Sequence, residues 1–514
     1  MLRFEVFDDQ GPARSWPLVN AHLLGRDDLP VAGSVEFSGG EIVCAPREKR
    51  ATALCLEYDA GPMGRLMLQT CLLALRPEPY RLNQELARHR IKHYIAKSEE
   101  WLMFDPALGG EALKRWEQAR TLFTEALVMD ESAASERRCR DALVAALDAG
   151  ERLAMSHAQI LLHRRFATRP ASRTTLGVRV DVGLDPAKPA DLLRKEFDVL
   201  VIPTPWARLQ PRPDAMDFAE LDRWMLWGRQ AGKPIVAGPL LGLTPGNIPA
   251  WAAPLLKDPT RLRDALYTFM EQVVYRYREI VGIWNVASGL HANSGAQLDL
   301  EQMVDLTRRG SLLVRQSRKG ARTLVEVTEP FGDHVARRPG AVTPWEYLER
   351  VVQEGIQLDC LGVQLVFGDG AGGRTTRDLL QISTILDRFF LLEYPLLVSA
   401  LGVPSRTEDQ AGGWWRGEWT AESQGSWASR VLPIALSKPY VESVFWDRLV
   451  DGRGGGLPAS TGVLDDAGRP KPVLSRLVAV RRRLREPLGP LQGAAADAAV
   501  AAPGEIRDSG RERD

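Results

Sequence analysis

IVGIWNVAS, residues 280–288, is a short apolar run of the kind that forms a buried strand, and Gly289 ends it. Similar runs recur from residue 172 onward, separated by amphipathic helical patterns such as FAELDRWMLWGRQAG. The candidate strands are 175–181, 197–202, 234–239, 279–286, 322–328, 359–366, 395–400 and 442–446. Strands that alternate with helices predict a parallel α/β sheet, and eight such units over about 300 residues predict a (β/α)₈ TIM barrel.

The C-terminal ends of the barrel strands are where such a fold carries its functional groups. The strand at 279–286 delivers the residues that follow it to that face. A hydrolase would place a carboxylic acid there, whereas this chain places Gly289 there. The sequence therefore raises the question whether the barrel has lost an acid or works without one.

The first third of the chain has two other patterns. Residues 1–78 alternate apolar and polar side chains between Gly, Pro and Asp, which predicts a small β-sandwich module. Residues 79–168 change to a period of 3.6, which predicts a long helical segment before the barrel at 169–487. The Ala- and Gly-rich tail, 488–514, has little to bury and is expected to be disordered.

Composition and charge exclude several classes of protein. Lys plus Arg is 66 and Asp plus Glu is 66, so no basic excess supports binding to nucleic acid or to a membrane surface. The five cysteines are widely spaced without a CxxC, which argues against structural zinc and a disulfide framework. The N-terminus has no apolar segment of the kind found in signal peptides. No apolar run approaches the length of about 20 residues that a transmembrane helix needs, so we expect a cytoplasmic protein.

No metal or other cofactor is expected. His89 and His93 are four residues apart on one helical face, a spacing that can bind a metal, but no HExxH motif surrounds them. A packed or solvated helix face is the simpler interpretation. The sequence does not determine the oligomeric state.

Several blocks of the barrel segment, in the same order, resemble glycoside hydrolase family 10, the xylanase-like retaining glycosidases. IVGIWNVAS is similar to the family's W-D-V-V-N-E strand, LDCLGVQLVF to its I-D-G-I-G-x-Q-x-H strand, and YPLLVSALGV to its I-T-E-L-D strand. GNIPAWA is similar to its P-x-W, and VESVFWDRLVD to its final strand. The resemblance runs from about 172 to 487 and implies a TIM barrel with a carbohydrate ligand.

The family's chemistry needs two glutamates about 5–5.5 Å apart, an acid/base and a nucleophile. The resemblance places the acid/base position at Gly289 and the nucleophile position at Ala400. Neither residue can transfer a proton or attack a sugar. Gln364 and Trp446 keep the family's residue type at ligand-binding positions. The resemblance thus implies a barrel without the family's catalytic pair.

Other carboxylates near the predicted strand ends are candidate replacements. Glu326 alternates within a strand, so its carboxyl group must be paired or hydrogen-bonded. Glu329 and Asp447 would supply an acid and a base from opposite sides of the mouth. Glu329, His334 and Asp369 would form a hydrogen-bonded cluster or a weak metal site. Each carboxylate also has an ordinary interpretation, as a helix cap or a partner of arginine.

Further candidate ligand contacts follow other strands. Arg208 follows the second strand and His291 the fourth, each as a ligand contact or an ordinary polar loop residue. Trp414 and Trp415 lie in the loop after the seventh strand, AGGWWRGEWTAESQGSW. They would stack on a sugar or an aromatic ligand, cover the mouth, or form a docking surface for another copy of the chain or for the N-terminal domain.

Two functions from different classes remain open. The first is a carbohydrate-binding or scaffold protein, which the missing glutamate pair favours. The second is an active hydrolase of O-glycosidic bonds in small or imported glycosides, using relocated carboxylates. This second function requires two carboxyl groups that face one pocket within about 5–10 Å of each other.

Overall fold

The computed structural model describes residues 1–8, 11–167, 175–338, 340–452, 458–486 and 488. The N-terminal part is built from short, mostly antiparallel strands, as the period of two predicts. These strands are β1 (Leu2–Glu5), β2 (Phe7–Asp8), β3 (Gly11–Pro12), β4 (His22–Leu24), β5 (Pro30–Val31), β6 (Gly33–Ser38), β7 (Glu41–Pro46), β8 (Ala53–Asp59), β9 (Gly64–Gln69) and β10 (Tyr80–Arg81). One sheet has the order β10-β1-β7-β6, and a second contains β9-β8-β4-β5.

Three long helices follow this N-terminal module. They are α1 (Leu82–Glu100), α2 (Pro106–Leu127) and α3 (Ser132–Phe166). Leu82, Leu86, Leu143 and Leu147 pack into the same apolar cluster as the strands of the module. Helix and sheet therefore bury each other's apolar faces.

The barrel is a closed ring of eight parallel strands, β11-β12-β13-β14-β15-β16-β17-β19. Its strands are β11 (Leu176–Arg179), β12 (Val199–Ile202), β13 (Ile235–Ala237), β14 (Ile283–Ser288), β15 (Arg322–Val327), β16 (Cys360–Val366), β17 (Leu396–Gly402) and β19 (Val441–Trp446). The short strand β18 (Trp414–Trp415) lies outside the ring, in the loop after β17. The prediction of a TIM barrel is confirmed, with all eight strands at their predicted places.

Helices surround the ring, and most alternate singly with its strands. They are α4 (Ala190–Glu196), α5 (Trp206–Leu209), α6 (Ala219–Gln230), α7 (Pro259–Tyr277), α8 (Leu300–Ser317), α9 (Pro344–Gln353), α10 (Leu379–Phe390), α11 (Ala421–Ser437) and α12 (Pro472–Leu484). Capping boxes at Asp299 and Asp378 begin α8 and α10. Such caps satisfy backbone N–H groups that the first helical turn leaves free.

An apolar layer fills the interior of the barrel. Side chains alternate along a strand, so every second residue points inward. The inward residues of this layer are Val199, Val201, Val236, Ile283, Leu324, Cys360, Leu397 and Phe445. On β14, β15 and β17 the residues two positions further, Asn285, Glu326 and Ser399, lie closer to the C-terminal face.

The N-terminal module packs against barrel loops at that face. Strand β18 pairs with β9 and so extends a sheet of the module with two residues from the barrel. The backbone N–H of Met67 donates to the carbonyl of Thr376 (3.0 Å), and Asn20 Nδ2 donates to the carbonyl of Ala411 (2.8 Å). The loops after β16 and β17 are thus held by the module.

Two of the predicted segment bounds fall on residues that the structure does not describe. The expected disordered tail, 488–514, lies outside the described residues except for Leu488, and so does the expected barrel start at 169. Among the described residues, no helix has the length and apolar character needed to cross a membrane. All five cysteines are free thiols.

Candidate functional site

A layer of polar side chains lies at the C-terminal end of the barrel interior. Asn285, Glu326, Ser399 and Asp447 each come two residues after an apolar inward residue of the same strand. The full polar layer is Arg179, Asn285, Ser288, Glu326, Gln364, Ser399 and Asp447. Six of the eight barrel strands therefore bring hydrogen-bonding groups to the predicted mouth of the barrel.

Glu326 is the centre of this layer. Its Oε1 accepts hydrogen bonds from Ser288 Oγ (2.5 Å) and from Gln364 Nε2 (2.6 Å). Its Oε2 lies 3.7 Å from Nη2 of Arg179. The side chain is 1% exposed. The carboxylate of Glu326 is therefore hydrogen-bonded, as expected for a carboxylate within a strand. Gln364, one of its two donors, lies on the neighbouring strand β16.

Asp447 faces the same guanidinium from the other side. Arg179 Nη1 lies 3.4 Å from Asp447 Oδ1, and Thr461 Oγ1 donates to Asp447 Oδ2 at 3.0 Å. Because Arg179 reaches both carboxylates, strands β11, β15 and β19 are joined by one arginine. The two carboxyl groups that come together are thus Glu326 and Asp447.

Three buried atoms of the polar layer have no hydrogen-bond partner in the protein. They are Asn285 Oδ1, Glu326 Oε2 and Ser399 Oγ. A buried polar atom left unpaired costs about 1–3 kcal/mol. The side chain of Arg179 is 21% exposed, so the layer is open to solvent at this residue. A ligand with hydroxyl groups has both donors and acceptors for these atoms.

Of the two positions that the family resemblance makes catalytic, Gly289 is crowded and Ala400 is buried. Gly289 has a φ of +63°, and a Cβ there would lie 2.8 Å from Thr328 Oγ1. Its N–H donates to the carbonyl of Glu326 at 3.1 Å. Ala400 is fully buried in β17. At Gly289 the backbone conformation and the contact with Thr328 therefore oppose a glutamate, whereas at Ala400 the residue type alone removes the acid.

Replacing Gly289 with glutamate is expected to destabilise the protein by about 1–3 kcal/mol without producing glycosidase activity. The left-handed backbone and the contact with Thr328 both oppose a side chain there. Urea unfolding and release of 4-nitrophenol from aryl β-glycosides measure the two effects. Gly320→Glu is the matched control, because Gly320 also has a positive φ but open space around it. Equal stability of the two variants would contradict the steric argument.

The second group of predicted residues forms a separate cluster. Glu329 pairs with Arg338 (2.7 Å) and lies 3.5 Å from Nδ1 of His334. Asp369 instead pairs with Arg374 across a tight turn. The predicted hydrogen-bonded cluster is therefore not formed: Glu329 and His334 are neighbours without a hydrogen bond, and each acid has its own arginine. No group of three metal-ligating side chains occurs among the residues that the structure describes.

His291 lies inside the protein and not at the mouth. Its Nε2 is 2.9 Å from the carbonyl oxygen of Thr328, and its ring packs on His334 and Tyr347. Burial lowers the pKa of His291 to about 3, with the neighbouring His334 as a smaller cause. This imidazole is therefore neutral at physiological pH and serves packing.

The tryptophans after β17 face the N-terminal part of the chain. Trp415 is 2% exposed, and its Nε1 donates to Glu151 Oε1 of α3 at 2.6 Å. Trp414 is half-buried and has the guanidinium of Arg65 over its ring. Of the alternatives for these residues, the geometry matches docking of the N-terminal domain.

Two other predicted ligand contacts are engaged elsewhere. Trp446 is fully buried and donates from Nε1 to the carbonyl of Thr461 at 2.7 Å. Arg208 is exposed and pairs with Asp181 and Glu220. Trp446 thus supports the loop that holds Asp447, and Arg208 forms a surface ion pair.

The sequence-based search missed Arg179, Asn285 and Ser399. Arg179 could have been recognised from the sequence, because an arginine at the end of the apolar run LGVR is unusual for a buried strand. Asn285 and Ser399 could not be recognised in this way, since a single polar residue in a barrel strand can face either the interior or the surrounding helices.

Neither a protein-family model nor a curated protein matches this chain. Solved structures do match it. One is xylanase 10B from Thermotoga petrophila RKU-1 in complex with xylobiose, which is 15% identical to this chain with a TM-score of 0.47. The match covers 63% of this chain and 97% of the xylanase chain. Xylanase B from Clostridium stercorarium F9 is 16% identical with a TM-score of 0.47, covering 62% and 98%. The chain is similar to these xylanases in its barrel, and the closed ring of eight parallel strands by itself establishes the fold.

Proposed function

We propose that this protein is a non-catalytic barrel protein that binds a small polyhydroxylated ligand of the saccharide type at the mouth of the barrel. The observation that carries the proposal is the pairing of Arg179 with both Glu326 and Asp447. A retaining glycosidase needs one carboxyl group to donate a proton and a second to attack. Two carboxylates that face one guanidinium form a structural ion-pair network instead.

The three atoms of the polar layer that lack a hydrogen bond support binding. Asn285 Oδ1 and Glu326 Oε2 are acceptors, and Ser399 Oγ is both donor and acceptor. Sugar hydroxyl groups satisfy both kinds of atom. The expected cytoplasmic location would make the ligand a small, imported saccharide. The contacts between the N-terminal module and the mouth loops add a scaffold role to the same proposal.

Isothermal titration calorimetry with xylobiose, xylotriose and cellobiose tests the binding. The wild-type protein is expected to bind at least one of them. Glu326→Gln is expected to weaken binding at the mouth about tenfold, because it removes one charged acceptor. Glu329→Gln is the matched control, since its carboxylate pairs with Arg338 outside the polar layer. Absence of binding to all three saccharides would contradict the proposal.

An active hydrolase is the second candidate, and one observation favours it. Glu326 and Asp447 extend from β15 and from the end of β19 toward a common point. Release of 4-nitrophenol from aryl β-glycosides separates the two functions. We expect no release by the wild-type protein. Turnover that disappears in both Glu326→Gln and Asp447→Asn would instead identify relocated catalytic carboxylates.

A further inference from the structure

A cavity lies where the N-terminal strands meet helices α1 and α3. Its volume is about 300 Å³. Three aromatic residues of the N-terminal module line it, namely Phe7, Trp16 and Tyr58. The ring centroids of Trp16 and Tyr58 are 6.2 Å apart. These aromatic residues, which are scattered in sequence, therefore form one apolar wall.

The polar part of the lining contains one buried acid. Glu136 of α3 is 1% exposed, and its Oε2 accepts from the backbone N–H of Asn83 at 2.9 Å. Its Oε1 has no hydrogen-bond partner. Tyr58 donates its hydroxyl hydrogen to Asn83 Oδ1 at 2.7 Å, which fixes the tyrosine ring. The cavity thus combines aromatic residues with a buried carboxyl oxygen that has no hydrogen bond.

The charges around the cavity nearly balance. The acidic lining residues are Asp8, Glu57, Asp59 and Glu136, and the basic ones are Arg65, Arg137 and Arg140. Glu57 and Arg65 already form an ion pair at 3.0 Å. Burial raises the pKa of Glu136 to about 7, so this carboxyl group is partly protonated near neutrality. Such a lining suits a neutral ligand better than a charged one.

We infer that this cavity is a second ligand site, which takes a neutral saccharide of one or two rings. An aromatic ring packs against the apolar face of a sugar, and the polar wall meets its hydroxyl groups. A volume of about 300 Å³ is at the lower end for small-molecule sites, which sets the size of the ligand. The inference shares the ligand class of the proposed function but uses residues of a different part of the chain.

Calorimetric titration of the full chain with xylobiose and cellobiose tests the site. Trp16→Ala and Glu136→Gln are each expected to weaken the N-terminal binding event at least tenfold, while Glu326→Gln leaves it unchanged. Phe37→Ala is the matched control, because Phe37 is a half-buried aromatic residue of the same module outside the cavity lining. If both sites bind, the stoichiometry falls from two to one in Trp16→Ala. If only this site binds, Trp16→Ala abolishes all binding. That result contradicts the proposed ligand site at the barrel mouth but supports the site in the N-terminal module.

Three results would overturn the inference. One is a titration of Trp16→Ala and Glu136→Gln that matches the wild type. Another is the absence of any saccharide binding by the wild-type protein. The third is binding of a cationic probe, arginine methyl ester, that Glu136→Gln abolishes, because it would assign the carboxyl group to a charged ligand. Far-ultraviolet circular dichroism measures whether the variants are folded. If Trp16→Ala does not fold, the isosteric variant Glu136→Gln still tests the site.

Discussion

Replacing Arg179 with methionine is expected to lower the free energy of unfolding by about 3–5 kcal/mol. The side chains of Glu326 and Asp447 are 1% and 0% exposed, and Arg179 is the cation that both of them face. Without the guanidinium, two carboxylates remain buried on one side of the barrel and repel each other. Removing one member of a buried ion pair is far more costly than removing a surface pair.

Urea unfolding of the full chain measures this effect. Arg208→Met is the matched control, because Arg208 also follows a barrel strand but forms exposed pairs with Asp181 and Glu220. We expect a loss of less than about 1 kcal/mol in that variant. The double variant Arg179→Met/Glu326→Gln should regain part of the loss, since it removes one of the two charges. An Arg179→Met variant as stable as Arg208→Met would contradict the structural role of this arginine.

Replacing Arg90 with methionine is expected to have an effect of similar size, about 3–5 kcal/mol, at the contact between helix α1 and the barrel. Arg90 is 2% exposed and pairs with Asp378, whose side chain is fully buried. Asp378 also caps α10 by accepting from the N–H groups of Leu380 (2.9 Å) and Gln381 (3.1 Å). Loss of Arg90 therefore leaves a buried carboxylate with backbone donors only.

Scanning calorimetry and limited proteolysis measure this second effect. The Arg90→Met variant should unfold at a lower temperature and be cleaved faster in the helical segment. Lys92→Met is the matched control on the same helix, because Lys92 is an exposed cation two residues after Arg90. Equal cleavage of the two variants would show that the Arg90–Asp378 pair does not hold the helix to the barrel.

The barrel itself could be predicted from the sequence because each of its strands is locally recognisable. Runs such as LDCLGVQLVF and IVGIWNVAS are apolar, short and bounded by polar or turn residues, and amphipathic helices separate them. Strand bounds differ from prediction by a few residues, as at 279–286, where β14 begins at Ile283. Burial on both faces of a parallel strand produces this continuous apolar signal.

The composition of the site was only partly predictable. Glu326, Gln364 and Asp447 were candidates from their places near strand ends, but their common partner Arg179 was not. Arg179 is 147 residues from Glu326 and 268 from Asp447 along the chain, as the residue numbers show. Only closure of the ring, through the pairing of β11 with β19, brings these three side chains together.

By itself, the sequence determined the eight strand-and-helix units, the absence of a carboxylate at Gly289 and Ala400, and the change of period between the N-terminal module and its helices. These are properties of residue type and local spacing. The tertiary structure decided that Trp414 and Trp415 join a sheet of the N-terminal module, that His291 is buried, and that Arg179 pairs with two acids. Such contacts depend on which distant segments meet, and local periodicity contains no information about that.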